Sequence, residues 1–242
     1  MESKLLSNQE LRRYKRQIML PGMGIPGQEK LKSAKVIVIG AGGIGTSVLQ
    51  YLAISGVGEL GICDNTIIKE ENFQNQILYN SLDLGKQKAI ISKQKLEILN
   101  SFNHYSIYNI FISSENVAKI CNEFEIVIDA TNNQEIGLLL DEVCYNGQIP
   151  LVYSDKTRNG FRISVFNYNN GPRLVNFIDS TENDQLNFNN TSETGSFGVV
   201  EGIIGNIMAA EAIKIITGFG KVINNEFLSI NTMELIIEYK YI

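Results

Sequence analysis

Between Lys35 and Asp64 the chain carries a pattern with few structural solutions. An apolar run, Val36 to Ile39, enters Gly40-Ala41-Gly42-Gly43-Ile44-Gly45. A helical pattern follows to about Ser55, and a second apolar run, Glu59 to Cys63, ends on Asp64. This is a strand, a G-x-G-x-x-G turn, a helix and an acid roughly 20 residues on. The arrangement sets a nucleotide at a helix N-terminus, where unbonded backbone N–H groups attract phosphate oxygens. Gly40 serves the tight turn, Gly42 lets the backbone approach the phosphates, and Gly45 lets helix and strand lie close. Asp64 can accept hydrogen bonds from a ribose. A glycine-rich turn without a ligand is the competing reading, and the joint presence of strand, helix and Asp64 weighs against it.

The pattern continues as alternating strands and helices. Helices are expected from about Ser7 to Ile18, Gln28 to Ser33, Lys86 to Asn100, Asn133 to Asn146 and Val199 to Thr217. The first opens on the capping box Ser7-Asn8-Gln9-Glu10, and the last is apolar on most sides and therefore expected to be buried. Further strands are expected at Tyr105–Phe111, Ile126–Ile128 and Leu151–Tyr153. After Gly160 the pattern turns antiparallel, with strands at Phe161–Tyr168, Phe227–Ile230 and Leu235–Tyr239. The polar stretch 179–198 reads as a long loop or lid. The fold class is α/β: a doubly wound, mainly parallel, Rossmann-like sheet with a C-terminal antiparallel extension. The 242 residues read as a single unit: N-terminal helices 1–34, a nucleotide-binding core 35–158, and a remainder 159–242.

Composition excludes other classes. A net charge of −5 with no Lys/Arg run argues against nucleic acid as the main partner. No apolar stretch of about 18 residues spans a membrane, and Met1-Glu2-Ser3-Lys4 opens no signal peptide. Cys63, Cys121 and Cys144 are widely spaced and form no C-x-x-C, so neither disulfides nor structural zinc are expected, consistent with a reducing cytoplasm.

Taken together, the chain resembles the ThiF/MoeB/HesA adenylyltransferases, relatives of the ubiquitin-activating enzymes, over about residues 8–239. The resemblance rests on Arg13-Tyr14-Lys15-Arg16-Gln17-Ile18, Gly27-Gln28-Glu29-Lys30-Leu31, the glycine turn, and Ser55-Gly56-Val57-Gly58. It extends through Asn72-Phe73-Gln74-Asn75-Gln76, Gly85-Lys86-Gln87-Lys88, Asp129-Ala130-Thr131-Asn132-Asn133 and Glu211-Ala212-Ile213-Lys214. It implies ATP and Mg²⁺ as cofactors. It also implies, as substrate, the C-terminal carboxylate of a small ubiquitin-like protein or peptide, activated as an acyl-adenylate. By resemblance Gly40, Gly42, Gly43, Gly45, Asp64, Asn72, Gln76 and Lys88 bind the nucleotide, with Lys88 as the key cation. Arg16 reaches into a partner protomer's site, which implies a dimer, either of identical chains or with an active homologue. Residues 179–198 match the crossover loop over the substrate's tail. Each assignment has a plainer rival: Lys88 and Arg16 as solvated helix charges, Asn72 as a turn former, Asp64 as a cap. His104, the one histidine, reads as a loop residue.

Two positions depart from the family. Asn75 stands where an Arg is usual, removing a planar fork for phosphate. Asn132 stands where an Asp usually helps to hold Mg²⁺, although an amide oxygen can still ligate a hard cation. A compensating site is conceivable at the end of the fifth strand, with Asp155 as metal ligand and Lys156 or Arg158 as cation. The family's first cysteine pair is replaced by Leu174 and Phe177, so an apolar patch is expected where others hold zinc. The expected function is adenylyl transfer. The alternatives are an impaired pseudo-enzyme subunit acting through a partner chain and, on the glycine motif alone, an NAD(P)-dependent oxidoreductase.

Overall fold

The structure, a computed structural model, describes residues 5–157, 160–180, 197–232, 234 and 236–241. Ser7 caps the first helix, α1 (Asn8–Arg13): its hydroxyl accepts from the Glu10 amide, and the Glu10 carboxylate accepts from the Ser7 amide. The expected single helix is split at Tyr14, which leaves helical geometry and buries its ring, its hydroxyl accepting from Asn100 Nδ2 at 2.8 Å. A short α2 (Lys15–Ile18) follows, and α3 (Gly24–Ser33) begins earlier than Gln28.

The strand–glycine turn–helix–strand pattern folds as read. β1 (Lys35–Ile39) leads through the glycine turn into α4 (Gly43–Ser55), which ends on left-handed Gly56, and β2 (Glu59–Cys63) follows. A 3₁₀ turn (Glu70–Gln74) lies over the sheet edge before α5 (Lys88–Leu99). β3 (His104–Tyr108) is shorter than expected and opens on exposed His104. Then come α6 (Val117–Cys121), β4 (Ile126–Asp129), and α7 (Gln134–Gly147), which is capped by the Asn133 side chain. β5 (Leu151–Thr157) and β6 (Gly160–Phe166) precede α8 (Leu174–Ser180), α9 (Gly198–Thr217), β7 (Glu226–Asn231) and β8 (Ile236–Tyr241). Most of the expected crossover loop, residues 181–196, lies outside the described residues.

The strands form one sheet in the order β3-β2-β1-β4-β5-β6-β7-β8, parallel through β5 and antiparallel beyond it. The chain leaves β1 toward β2 on one side and later returns to β4 on the other. The crevice beyond the ends of β1 and β4 is therefore a topological switch point, where open α/β sheets take ligands. One core layer packs α4, α5 and α9 against one face, and a second packs α6, α7 and α8 against the other. Cys63, Cys121 and Cys144 are free and buried in the second, with burial pushing the Cys63 and Cys121 thiols up to about 12. Leu174 and Phe177 are buried there too, Phe177 stacking edge-on against Phe227 with ring centroids 5.1 Å apart. Contrary to expectation, α9 is not buried all round. Ile204, Gly205, Met208, Ala209 and Ala212 face α4 and the sheet, while Val199 and Ile203 are exposed. Among the described residues no helix is long and apolar enough to cross a membrane.

Asp129 closes β4 fully buried. Its Oδ1 accepts from the Thr131 amide at 2.9 Å and hydroxyl at 2.6 Å, while Oδ2 is buried without a hydrogen-bond partner. Burial pushes its carboxyl up to about 6, opposed by the Thr131 bonds. Below the ordinary value of 3.8 both folded and unfolded chains hold this proton. As pH rises toward 6 the unfolded chain ionises first, so stability falls by roughly 2–3 kcal/mol and then levels off. Denaturant titrations of wild type and Asp129→Asn from pH 4 to 7 should diverge accordingly, the variant lacking that fall. Parallel profiles would show that the carboxylate is solvated after all.

Candidate nucleotide-binding site

The crevice at the switch point has a volume of about 290 Å³, and its walls come from elements far apart in sequence. β1 and the glycine turn supply Ile39, Gly40 and Gly42, β2 supplies Cys63 and Asp64, α5 supplies Lys88, and β4 leads into Ala130, Thr131 and Asn133. Ile110, Phe111, Ile112 and Ile136 form an apolar wall.

The glycines act as their spacing implies. Gly40 sits at φ 96° with the Ala130 carbonyl across from it, so a side chain is excluded on both counts. A β-carbon on Gly45 would lie 1.9 Å from the Gly40 carbonyl oxygen, so α4 can seat on β1 only with glycine there. At Gly42 the nearest atom to such a carbon is Gln76 Nε2 at 4.0 Å, which leaves the approach to the α4 N-terminus open. The Tyr79 hydroxyl donates to the Ala41 carbonyl at 2.9 Å and shares a 2.8 Å hydrogen bond with Ser92, bracing the turn from behind.

Asp64 anchors the same turn. Its Oδ2 accepts from the Ala41 amide at 2.8 Å and its Oδ1 from the Thr66 amide and hydroxyl at 2.7 and 2.6 Å. A carboxylate offers about four lone-pair sites, so one direction remains for a ligand hydroxyl. Lys88 is the first residue of α5 and only 9% exposed, and among the described residues it makes no ion pair. Burial holds its amine below the ordinary lysine range, with the Asp64 charge pulling back the other way. A nearly buried ammonium with no ion pair among the described residues is costly in such a crevice, and an anion there would relieve the cost.

Other expected residues fall around this centre. Gln76 is buried behind Gly42, and its Oε1 has no hydrogen-bond partner. Asn72 Oδ1 accepts from the Lys69 amide and so closes the 3₁₀ turn. Asn75 ends that turn and donates from Nδ2 to Glu201 Oε2 at 2.8 Å. Asn132 lies between Thr131 and Asn133 in the left-handed region at φ 52°, a conformation that asparagine tolerates. Arg16 is exposed on α2, which packs by Gln17 against the Ser55 carbonyl at the far end of α4. At 1.5 Å per residue that is about 20 Å from the glycine turn, too far to serve its own crevice.

Asp155 requires a correction. β5 runs on past Tyr153 as strand, so Asp155 pairs in register with Arg162 of β6 instead of projecting from a strand end. Both its oxygens accept from the Arg162 guanidinium, Nε to Oδ1 at 3.0 Å and a terminal nitrogen to Oδ2, and that guanidinium also lies over the Phe177 ring. The carboxylate is thereby committed, and it lines no part of the crevice. The side chain of Lys156, and Arg158 altogether, lie outside the described residues. Sequence reasoning missed Thr66 and the apolar wall, which line the crevice, and Tyr79, which braces its turn; none carries a motif, and each arrives there only through folding.

Comparison with known proteins finds relatives over nearly the whole chain. The ThiF family model matches residues 14–240. A probable molybdopterin-synthase adenylyltransferase of Porphyra purpurea is 36% identical over 96% of this chain, which spans 61% of that protein's length. A sulfur carrier protein adenylyltransferase of Thermus thermophilus is 33% identical over 94% of this chain and 86% of its own. Among solved structures, E. coli MccB with ATP superposes with a TM-score of 0.82 at 22% identity, covering 100% of this chain and 73% of its own, a likeness of fold. With the glycine turn, Asp64 and Lys88 assembled at the switch point and the family model running through both halves of the sheet, the chain belongs to the ThiF family.

Proposed function

We propose that this chain is an ATP-dependent adenylyltransferase that activates the C-terminal carboxylate of a small ubiquitin-like protein or peptide as an acyl-adenylate. The observation that carries the reading is Lys88, a nearly buried ammonium without an ion-pair partner among the described residues, in the crevice that holds Asp64 and the glycine turn. The names of the Porphyra and Thermus relatives support the reaction class.

The donor set fits ATP. The wall of Ile110, Phe111 and Ile112 suits a base, the remaining acceptor of Asp64 suits a ribose hydroxyl, and the open space at Gly42 admits phosphates to the α4 N-terminus. In the reaction a substrate carboxylate oxygen attacks the α-phosphorus, an acyl C–O–P linkage forms, and the bond to pyrophosphate breaks. Two anions must meet, so catalysis is positioning and charge neutralisation. Lys88 offsets the charge growing on the phosphate oxygens, and the backbone N–H groups of the glycine turn hold them in line. The residues also fit Mg²⁺, since a buried amide oxygen without a hydrogen-bond partner, Gln76 Oε1, adjoins the turn, and the Asn132 amide would be a further oxygen ligand. When bound, the ion supplies further neutralisation of the triphosphate. The active unit in this reading is a homodimer in which Arg16, remote from its own crevice, serves the partner's; pairing with an active homologue is the other arrangement.

Pyrophosphate exchange into ATP, with carboxyl-terminal peptides of ubiquitin-like proteins present, tests the reaction. Lys88→Gln should reduce exchange by about 10²-fold or more, yet leave thermal stability unchanged or raised, because it removes an unpaired buried charge. Wild type without exchange for any such peptide would sink the reading. The dimer is tested by complementation. Mixing inactive Arg16→Ala and Lys88→Ala chains, with dissociation and reassociation, should restore about a quarter of wild-type exchange, since half the dimers are mixed and each carries one intact site. Failure to restore any would place Arg16 outside the chemistry.

A further inference from the structure

Ala41, inside the glycine turn, is held by side chains at both its amide and its carbonyl. The amide donates to Asp64 Oδ2 at 2.8 Å, and the carbonyl accepts from the Tyr79 hydroxyl at 2.9 Å. Each bond starts a path, and both paths end on α5. On the amide side, Asp64 Oδ1 accepts from the Thr66 amide at 2.7 Å, and the Thr66 carbonyl accepts from the Lys88 amide at 3.0 Å. On the carbonyl side, the Tyr79 oxygen lies 2.8 Å from the Ser92 hydroxyl, about one turn beyond Lys88, and 3.5 Å from the Lys88 carbonyl. Together the paths close a ring of hydrogen bonds from the glycine turn to the first turn of α5 and back.

The ring joins two groups that must act on the same phosphates yet come from different elements. The turn presents N–H donors, and Lys88 brings a charge from the start of α5. That helix does not fix its own start, because Gln87 at its N-cap makes no side-chain cap hydrogen bond. Tyr79 is 6% exposed and Ser92 fully buried, so water does not compete for the carbonyl-side bonds. Burial holds the Tyr79 hydroxyl above the ordinary tyrosine range, so it keeps its proton. That single proton goes to the nearer carbonyl, Ala41, which leaves the phenol oxygen to accept from Ser92. Asp64 faces the crevice, where a ligand shares its oxygens, whereas Tyr79 lines no part of it. We propose that Tyr79 is a positioning residue for adenylyl transfer, which sets the distance between the glycine turn and Lys88 through Ala41 and Ser92 without touching the nucleotide. The proposal rests on the nucleotide reading above and assigns within it a role to a side chain that lies outside every motif.

Pyrophosphate exchange, measured across a range of ATP concentrations, separates positioning from plain support. Tyr79→Phe keeps the ring and its packing and removes only the hydroxyl. It should lower kcat by about ten-fold or more, while KM for ATP moves by less than about three-fold. Ser92→Ala should show a loss of the same kind, and the double variant should lose little more than Tyr79→Phe alone, because both break one link. In a Lys88→Gln background Tyr79→Phe should cost less than about two-fold, since the charge it positions is already gone. Melting curves verify that each variant is folded at the assay temperature, and Ser92→Ala carries the same comparison where Tyr79→Phe does not fold. Wild-type kcat in Tyr79→Phe, or a loss that is undiminished in the Lys88→Gln background, would overturn the proposal and leave Tyr79 a structural brace. If wild type itself shows no exchange with any peptide, the nucleotide reading fails and takes this inference with it.

Discussion

The close approach of α4 to β1 is the constraint on which the rest of the molecule depends. A side chain on Gly45 would collide with the Gly40 carbonyl, and one on Gly40 would meet both an unfavourable φ and the Ala130 backbone. Without side chains at these two points the helix lies down on the strand and aims its unbonded N–H groups at the mouth between β1 and β4. α9 then packs on α4 through another glycine, Gly205, whose β-position would touch the Ile44 carbonyl at 2.5 Å. Two tight glycine contacts thus bring the late helix, and Glu201 with it, to the same place as the early turn.

What gathers in that place is a set of polar and charged groups that are only partly partnered among the described residues. Lys88 is desolvated without an ion-pair partner among the described residues, Asp64 keeps one acceptor direction in reserve, and Gln76 holds a buried oxygen with no hydrogen-bond partner. Buried polar groups in native proteins are nearly always satisfied, so a desolvated ammonium in the crevice and an unbonded amide oxygen behind its glycine turn are what the proposed ligand would complete. The Asp155–Arg162 pair shows the opposite economy: two equally buried charges that satisfy one another, brace the antiparallel half of the sheet against Phe177, and leave nothing for a ligand.

Local chemistry was legible wherever a segment's own side chains decide its shape. The Ser7–Glu10 capping box, β1, the glycine turn, α4 with its left-handed Gly56 cap, β2 and α9 stand close to where their patterns put them. The misreadings came where long-range packing overrode local signals. Tyr14 breaks an otherwise continuous helix because its ring is drawn under Gly56 and its hydroxyl is tied to Asn100. β5 passes Tyr153 because β6 offers it a ladder, and hydrogen bonding along that ladder outweighs the polar run Ser154–Thr157 that reads as a loop. The short α6 and α8 are too brief to show a period of their own, and they form by covering the second core layer.

The sequence by itself determined the fold class, the glycine turn, and the candidacy of Asp64 and Lys88, because glycine spacing, apolar periodicity and the order of motifs are properties of neighbours along the chain. Only the tertiary structure decided which charges meet. Asp155 found Arg162, Arg16 was carried to the far end of α4, and Glu201 was delivered to Gly43 from a helix more than 150 residues later in the chain. The reason is physical: a charge acts over a few ångströms of space, and the distances among these groups exist only once the sheet is assembled.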